Sequence, residues 1–105
     1  MRQRTRSKKN STARVVHVPW RVVKVSALPK HRLFVRFADG TEGEVDASPM
    51  VFGKKAGVFE RLRDARQFAE VYVEGGAVTW PGGLDLAPDA MYDEIKSSGR
   101  WTIKR

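Results

Sequence analysis

Short apolar segments rich in β-branched residues alternate with turn-forming residues along most of the chain, a pattern typical of short β-strands. Strands are predicted at residues 20–27, 32–37, 41–46, 68–74 and 77–80. Ala38-Asp39-Gly40 separates the second strand from the third, and Gly75-Gly76 separates the fourth from the fifth, which predicts two β-hairpins. The first strand precedes both hairpins and stops at a loop that contains Pro29.

The side chains of the first hairpin distinguish between two registers. A two-residue loop at Asp39-Gly40 would place Phe37 opposite Glu42, so that the apolar face of one strand would continue as the acidic face of the next. A three-residue loop, with Gly40 in the left-handed conformation, avoids this conflict. It predicts three compatible cross-strand pairs: Arg36 with Glu42, Arg32 with Asp46, and Leu33 with Val45.

This register divides the hairpin into two unlike faces. The apolar face consists of Leu33, Val35, Phe37 and Val45. On the opposite face, Arg32, Phe34 and Arg36 taken alone are typical of a platform on which single-stranded nucleic acid stacks its bases. Because both arginines have an acid opposite them, a structural role is favoured, with Phe34 beneath a helix.

Two helical segments complete the predicted elements. Val58, Phe59 and Leu62 have the spacing of one apolar helical turn. Pro88 near a first helical position and Gly99 near the end define a longer C-terminal helix. Its inner residues are expected to be Met91, Tyr92 and Ile95.

The predicted fold is α+β: a small antiparallel sheet of about five strands, made of two hairpins and a preceding strand, packed against one short helical turn and one C-terminal helix. In the second hairpin, the turn places Val73 beside Val78. The expected buried face of this hairpin is Ala69, Val71, Val73, Val78 and Trp80. Residues 100–105 fit either an added edge strand, with Trp101 and Ile103 on one face, or a tail.

Positive charge is concentrated at the N-terminus. The formal net charge is +8, but residues 1–36 contain eleven Lys or Arg and no acid, whereas residues 37–105 contain nine against twelve acids. Residues 1–14 are polar and basic, which predicts a disordered arm followed by a single α+β domain at residues 15–105. The cations of the arm are Arg2, Arg4, Arg6, Lys8, Lys9 and Arg14. They are candidates for binding DNA or RNA phosphates, and the alternative is a solvated arm without a specific partner.

No residue pattern predicts catalysis or a cofactor. The chain has no cysteine, which excludes disulfides, thiolate zinc sites and a cysteine nucleophile. His17 and His31 lack ligand-spaced companions and are expected to be exposed, so no metal site is predicted. Asp85, Asp89 and Asp93 recur every four residues around the predicted helix start, where stabilisation of the helix terminus is favoured over a cation site or acid–base pair.

Neither a nucleotide nor a membrane is predicted as a ligand. Gly53-Lys54-Lys55 lacks the glycine spacing of a phosphate-binding loop, which favours solvated lysines. The apolar run at residues 15–20 is too short for a signal-peptide core or a membrane span. We therefore expect a cytoplasmic protein without enzymatic activity.

Several motifs, taken in order, resemble those of a bacterial family. They are Trp20-Arg-Val-Val-Lys-Val25, Leu33-Phe-Val-Arg-Phe-Ala-Asp-Gly40, Glu44-Val-Asp46, Val58-Phe-Glu-Arg-Leu-Arg-Asp64, residues 68–73, and Trp80-Pro-Gly-Gly-Leu-Asp85-Leu-Ala-Pro88-Asp-Ala-Met-Tyr92. Over residues 18–96 the chain resembles the domain of unknown function 2442 family. The resemblance implies a small α+β domain, sometimes encoded beside a second small protein in toxin–antitoxin-like pairs, and it implies no catalytic residues.

The motif residues are interpreted as structural. They are Asp39 and Gly40 in a turn, Asp46 at the end of the hairpin, Asp85 and Pro88 at a helix start, and Trp80 and Tyr92 in the core. The functional hypothesis is a non-enzymatic protein-interaction module, the antitoxin-like or accessory member of a bacterial gene pair, which binds a small partner protein. The alternative hypothesis is nucleic-acid binding through the basic arm. The sequence leaves the oligomeric state open.

Overall fold

The computed structural model describes residues 18–103 and confirms the α+β class. These residues form seven strands and four helical segments. The strands are β1 (Val22–Leu28), β2 (Arg32–Phe37), β3 (Glu42–Asp46), β4 (Tyr72–Glu74), β5 (Ala77–Trp80), β6 (Leu84–Asp85) and β7 (Arg100–Thr102). The helices are α1 (Ser48–Phe52), a 3₁₀ helix (Gly57–Arg63), α2 (Ala65–Phe68) and α3 (Pro88–Ser98).

The strands are divided between two sheets, where the sequence pattern predicts one. The larger sheet has the order β1-β2-β3-β7, and the smaller has the order β4-β5-β6. Asp85, predicted to lie at a helix start, instead belongs with Leu84 to a strand that pairs with β5 and completes the smaller sheet. The second hairpin contacts β1 through the Val22 N–H, which donates to the Gly76 carbonyl at 2.9 Å. This contact joins the sheets at an edge.

The predicted register of the first hairpin is confirmed. Arg36 lies opposite Glu42, and Leu33 lies opposite Val45. Gly40 has a φ of 90°, the left-handed conformation that the three-residue loop requires. The predicted apolar face is the centre of the core, since each of its members is at most 1% exposed: Leu33, Val35, Phe37 and Val45.

Two helices cover this apolar face. Met50 and Val51 of α1 and Met91 and Ile95 of α3 are buried with it in one hydrophobic cluster. Full burial of an apolar side chain of this size contributes about 1.5–3 kcal/mol, so this layer is the main source of stability in the fold. Tyr92, the third predicted inner residue of α3, is half-buried.

The second hairpin is shorter than predicted. Val73 lies opposite Val78 as expected, but β4 begins at Tyr72, and Ala69 is exposed rather than buried. The preceding residues form α2, because the Asp64 carboxylate accepts the Arg66 N–H at 2.9 Å and caps a helical turn. The helical turn ends at Phe68, which packs beside Trp80.

Trp80 anchors α2 to the smaller sheet. Its side chain is fully buried, and its ring lies 5.6 Å from that of Phe68. The indole N–H donates to the Phe68 carbonyl at 2.8 Å, so the one polar atom of the side chain is satisfied inside the core.

The connection between the sheets contains three short helices where one helical turn is predicted. In the 3₁₀ helix, Leu62 is buried and Phe59 is partly buried, but Val58 is 67% exposed. The prediction for Val58 is wrong because a 3₁₀ helix has three residues per turn, so residues three apart share a face and Val58 points elsewhere.

The C-terminal helix begins at Pro88, as predicted. Asp85 does not contribute to its start, since it lies in β6 opposite Thr79 and Ala87 occupies the N-cap position. The residues after the helix form β7, which pairs in parallel with β3 and resolves the choice between an edge strand and a tail. Because α3 crosses back over the apolar face, β7 returns in the same direction as β3.

None of the helices within residues 18–103 is long and apolar enough to cross a membrane. The boundary predicted after residue 14 and the cations of the arm lie outside the described residues.

Candidate functional site

Among residues 18–103, no helix or strand packs on one face of the larger sheet. Side chains alternate between the two faces of a strand, and α1 and α3 pack on the apolar face. We call the other side of this sheet the outer face; it consists of Lys24, Ser26, Leu28, Arg32, Phe34, Arg36, Glu42, Glu44, Asp46, Arg100 and Thr102. None of these residues is buried. Within the described part of the chain, the outer face is therefore available to another molecule.

Phe34 is at the centre of the outer face. Ser26 and Glu44 are its cross-strand neighbours, and the Lys24 ammonium group lies 5.9 Å from its ring centroid. The expectation that Phe34 lies beneath a helix is wrong, because the helices pack on the opposite side of the strand. Phe34 is only half-buried.

Ion pairs balance much of the charge around Phe34. The Arg36 Nε donates to Glu42 at 2.6 Å, which confirms the predicted pair. Arg32 lies opposite Asp46 in the register, as predicted, but its guanidinium contacts Glu44 at 3.2 Å instead. The local charge balance foreseen from the sequence is therefore present, with a different acid as one partner.

Asp46 has another role because the chain enters α1 directly after it. Its Oδ1 accepts the Ser48 N–H at 3.0 Å and the Ser48 hydroxyl at 2.8 Å. These bonds satisfy a backbone donor at the start of α1 that has no partner within the helix. The carboxylate thus turns away from Arg32.

An open cleft of about 460 Å³ lies at the edge of the outer face. It is lined by Phe34, Glu42, Gly43, Glu44, Ser98, Gly99 and Arg100. Pairing between β3 and β7 begins only at Glu44, so Glu42 and Gly43 pair with β2 on one side and, among the described residues, with no strand on the other. The cleft therefore combines an aromatic floor, a stretch of uncovered strand and charged walls.

The wall of the cleft depends on a close approach at Gly43. A β-carbon at this position would lie 2.5 Å from the Ile95 Cγ2 and 2.6 Å from the Gly99 carbonyl oxygen. The absence of a side chain therefore lets the end of α3 lie directly against the backbone of β3. This contact sets the position of the Ser98–Gly99 segment that forms one side of the cleft.

A polar contact fastens the β2–β3 turn to α3. The Tyr92 hydroxyl donates to the Asp39 Oδ2 at 2.6 Å, and the Thr41 N–H donates to the Asp39 Oδ1 at 2.9 Å. The Tyr92 hydrogen bond, followed by those from Thr41 and by the positive charge of Lys96, holds the pKa of Asp39 well below its usual range. The Tyr92 ring also packs edge-on against Phe37, with centroids 5.1 Å apart.

His31 is packed rather than solvent-exposed, contrary to the expectation from the sequence. Its ring centroid lies 4.8 Å from those of Phe52 and Phe68, and its Nε2 lies 2.9 Å from the Leu62 carbonyl oxygen. Lys30 and His31 both have left-handed φ values, of 63° and 58°. Such a conformation costs non-glycine residues free energy, so the ring contacts help to hold a strained turn.

The arrangement brings together residues that are distant in the sequence but belong to the motifs described above. Asp39 and Tyr92 come from different motifs and form one hydrogen bond. A family model described as "Protein of unknown function (DUF2442)" matches residues 22–97, from the first strand through most of α3. The chain belongs to the DUF2442 family. No curated protein and no solved structure matched the chain.

Residues 18–103, which include the whole DUF2442 match, contain no group of three or more His, Asp or Glu side chains suited to holding a metal ion. The acids predicted near the C-terminal helix do not converge on one point, since Asp85 lies in β6 and the Asp89 carboxylate accepts the Ala90 N–H at 2.9 Å. The cleft beside Phe34, which the sequence pattern did not reveal, is the site with the most developed geometry in the described part of the chain.

Proposed function

We propose that this DUF2442 domain is a non-enzymatic module that binds a small partner protein through the outer face of its larger sheet. The observation that carries the proposal is the open cleft with Phe34 at its floor, on a face that α1 and α3 leave uncovered. Aromatic side chains in small pockets often contribute most of the binding energy of a protein interface. The cleft is large enough to take one apolar side chain of a partner.

The charges at the cleft favour an acidic residue beside that apolar side chain. Glu42 and Glu44 already contact Arg36 and Arg32. The Arg100 side chain is 64% exposed, and its guanidinium lies 3.9 Å from the Glu44 carboxylate. This contact is long, and the same carboxylate also pairs with Arg32 at 3.2 Å. A partner carboxylate next to the apolar side chain would therefore pair with Arg100.

The lack of enzymatic activity is part of the same proposal. Asp39, whose pKa is strongly lowered, is occupied by Tyr92 and Thr41 and does not line the cleft. A cytoplasmic location is also proposed, because the apolar run at residues 15–20 is too short for a signal-peptide core or a membrane span. An antitoxin-like or accessory role in a gene pair is proposed from the family resemblance rather than from geometry. The oligomeric state is left open.

Affinity capture tests the proposal. The full chain is immobilised as wild type, as Phe34→Ala and as Arg100→Glu, and each is exposed to lysate of the native host. A protein captured by wild type and lost with both variants is then purified, and its affinity is measured by calorimetry. We expect each substitution to weaken binding at least tenfold, because both residues border the cleft.

Tyr72→Ala is the matched control, since Tyr72 is an exposed aromatic residue of the smaller sheet. Amide signals of Gly43 and Gly99 should shift when the purified partner is added, whereas those of β4 should not. If no captured protein depends on Phe34 and Arg100, the cleft is not the binding site and the proposal is rejected.

The second candidate function is nucleic-acid binding through the arm. It is favoured by the six cations and no acid among residues 1–14. Arm binding predicts affinity for DNA or RNA that falls steeply with salt and is lost when the six cations are replaced by glutamine. Unchanged affinity after that replacement would eliminate the arm as the binding segment.

A further inference from the structure

An exposed aromatic residue lies among cations on the helical side of the molecule. Phe52, the last residue of α1, is 53% exposed. Lys54 and Lys55 follow it in the chain, and both are exposed. We call this region the basic aromatic surface and define it by Lys30, His31, Phe52, Lys54, Lys55 and Arg63.

The ring of Phe52 is held in place from the core side. The His31 ring meets it nearly at right angles, with centroids 4.8 Å apart, and His31 also packs on the buried Phe68. An exposed aromatic ring that is supported in this way loses little conformational entropy when a flat ligand stacks upon it.

Arg63 is fixed beside the same ring. Its Nε donates to the Val51 carbonyl at 2.8 Å, and its Nη2 donates to the Gly53 carbonyl at 3.3 Å. These bonds hold the guanidinium carbon 6.0 Å from the Phe52 ring centroid. The Glu60 carboxylate lies 3.6 Å from Nη1 but is itself largely exposed.

The charge around Phe52 is only partly compensated, by the Glu60 carboxylate beside Arg63. Residues 48–66 contain five Lys or Arg against two acids. Among residues 18–103, no carboxylate lies within 4.0 Å of Lys30, Lys54 or Lys55. The acid partners of Arg32 and Arg36 argue against a nucleic-acid platform at Phe34. Lys54 and Lys55, which follow Phe52, have no such partner among the described residues, and this difference favours Phe52.

We propose that the basic aromatic surface binds single-stranded nucleic acid, with a base stacked on Phe52 and the neighbouring phosphates at Lys54, Lys55 and Arg63. Every base has a flat face, so stacking on one ring favours unpaired strands without a strong sequence preference. The lysines supply sequence-independent attraction to the backbone. This site is separate from the arm and from the outer face, and it does not depend on the function proposed above.

The test uses the full chain with the six arm cations replaced by glutamine, so that the arm does not mask the site. Fluorescence anisotropy measures binding of labelled oligothymidylate and oligouridylate between about 50 and 200 mM salt. In this background, we expect Phe52→Leu to weaken binding about tenfold, because the leucine keeps apolar bulk but loses the stacking face. Phe52→Trp should retain the affinity.

A second variant tests the phosphate contacts of the two lysines without changing the Phe52 ring. Lys54→Gln combined with Lys55→Gln should weaken the salt dependence of binding. The negative slope of log affinity against log salt should become less steep by about 0.7 for each lysine replaced. Phe34→Ala is the matched control and should bind like the parent chain. Thermal unfolding verifies that each variant is folded.

The possible outcomes decide the proposal. Weaker binding by Phe52→Leu, rescue by Phe52→Trp and a reduced salt slope for the lysine variant support it. Absence of binding by the arm-neutralised chain at low salt overturns it, as does equal affinity of Phe52→Leu and the parent. Equal affinity for a duplex of the same length also overturns it, because stacking on Phe52 requires an unpaired base.

Discussion

The two faces of the larger sheet are built from the same strands but have different roles. Leu33 is fully buried under the helices, whereas its neighbour Phe34 lines an open cleft. On the inner face the apolar residues meet other apolar residues, and on the outer face charged side chains surround one aromatic ring. The difference shows that a period of two along β2 separates the residues that stabilise the fold from those available for binding.

The strongest test of this comparison replaces adjacent residues on opposite faces. We expect Leu33→Ala to lower the free energy of unfolding by about 2–5 kcal/mol, because it leaves a cavity in the core. Phe34→Ala should lower it by only about 1–2 kcal/mol, because the ring is half-buried and surrounding residues can relax into the cleft. Urea denaturation followed by tryptophan fluorescence measures both. Equal losses would mean that the faces do not differ in their contribution to stability.

The next test concerns Gly43, the glycine of β3 against which the end of α3 packs. Gly43→Ala should destabilise the fold by about 1–3 kcal/mol, because the new methyl group would clash with Ile95 and with the Gly99 carbonyl. Denaturation measures the loss, and the amide signal of Gly99 should shift as the end of α3 moves. Glu42→Ala, one residue earlier on the outer face, is the control. A Gly43→Ala variant as stable as the parent would contradict the close approach described here.

A smaller effect is expected from the charge pairs of the outer face. A double-mutant cycle on Arg36 and Glu42 should give a coupling free energy of about 0.2–1 kcal/mol, since both side chains are exposed. The coupling should decrease when salt is added, because salt screens exposed charges. Coupling as large as the effect of Leu33→Ala would refute the assignment of the outer face to a minor role in stability.

The smallest effect is expected at the turn between the two strands. The pKa of Asp39 is lowered in the folded state, so its contribution to stability is present above the pKa of the unfolded chain and is lost as pH falls through the folded pKa. Tyr92→Phe keeps the ring on Phe37 but removes the main hydrogen bond. We expect a lower melting temperature than wild type near neutral pH, with the difference shrinking in acid. An NMR titration should show a higher Asp39 pKa in the variant, and an unchanged value would contradict this account.

Local pattern was sufficient for the parts of the fold whose partners are close in the chain. The Leu33–Val45 register followed from side-chain compatibility across one loop, and the start of α3 followed from Pro88. Prediction was poorer where a competing local contact decided the outcome. Asp46 was predicted to pair with Arg32 because the two residues lie opposite each other, but its carboxylate instead accepts a hydrogen bond from the nearby Ser48 N–H.

The candidate sites were less predictable than the fold. The cleft beside Phe34 is formed by β3 and the residues between α3 and β7, which are more than fifty positions apart. Phe52 lies in a segment for which the sequence pattern predicts neither a strand nor a helix, so its exposure next to Arg63 could not be predicted from the sequence.

By itself, the sequence determined which face of β2 is apolar, where the hairpin turns, and how charge is divided along the chain, because these depend on residue type and short spacing. Only the tertiary structure decided that the strands form two sheets, that β7 joins β3 in parallel, and that Tyr92 reaches Asp39. These contacts join residues that are distant in the sequence, and they are selected by the packing of α3 on the sheet. No local periodicity carries that information.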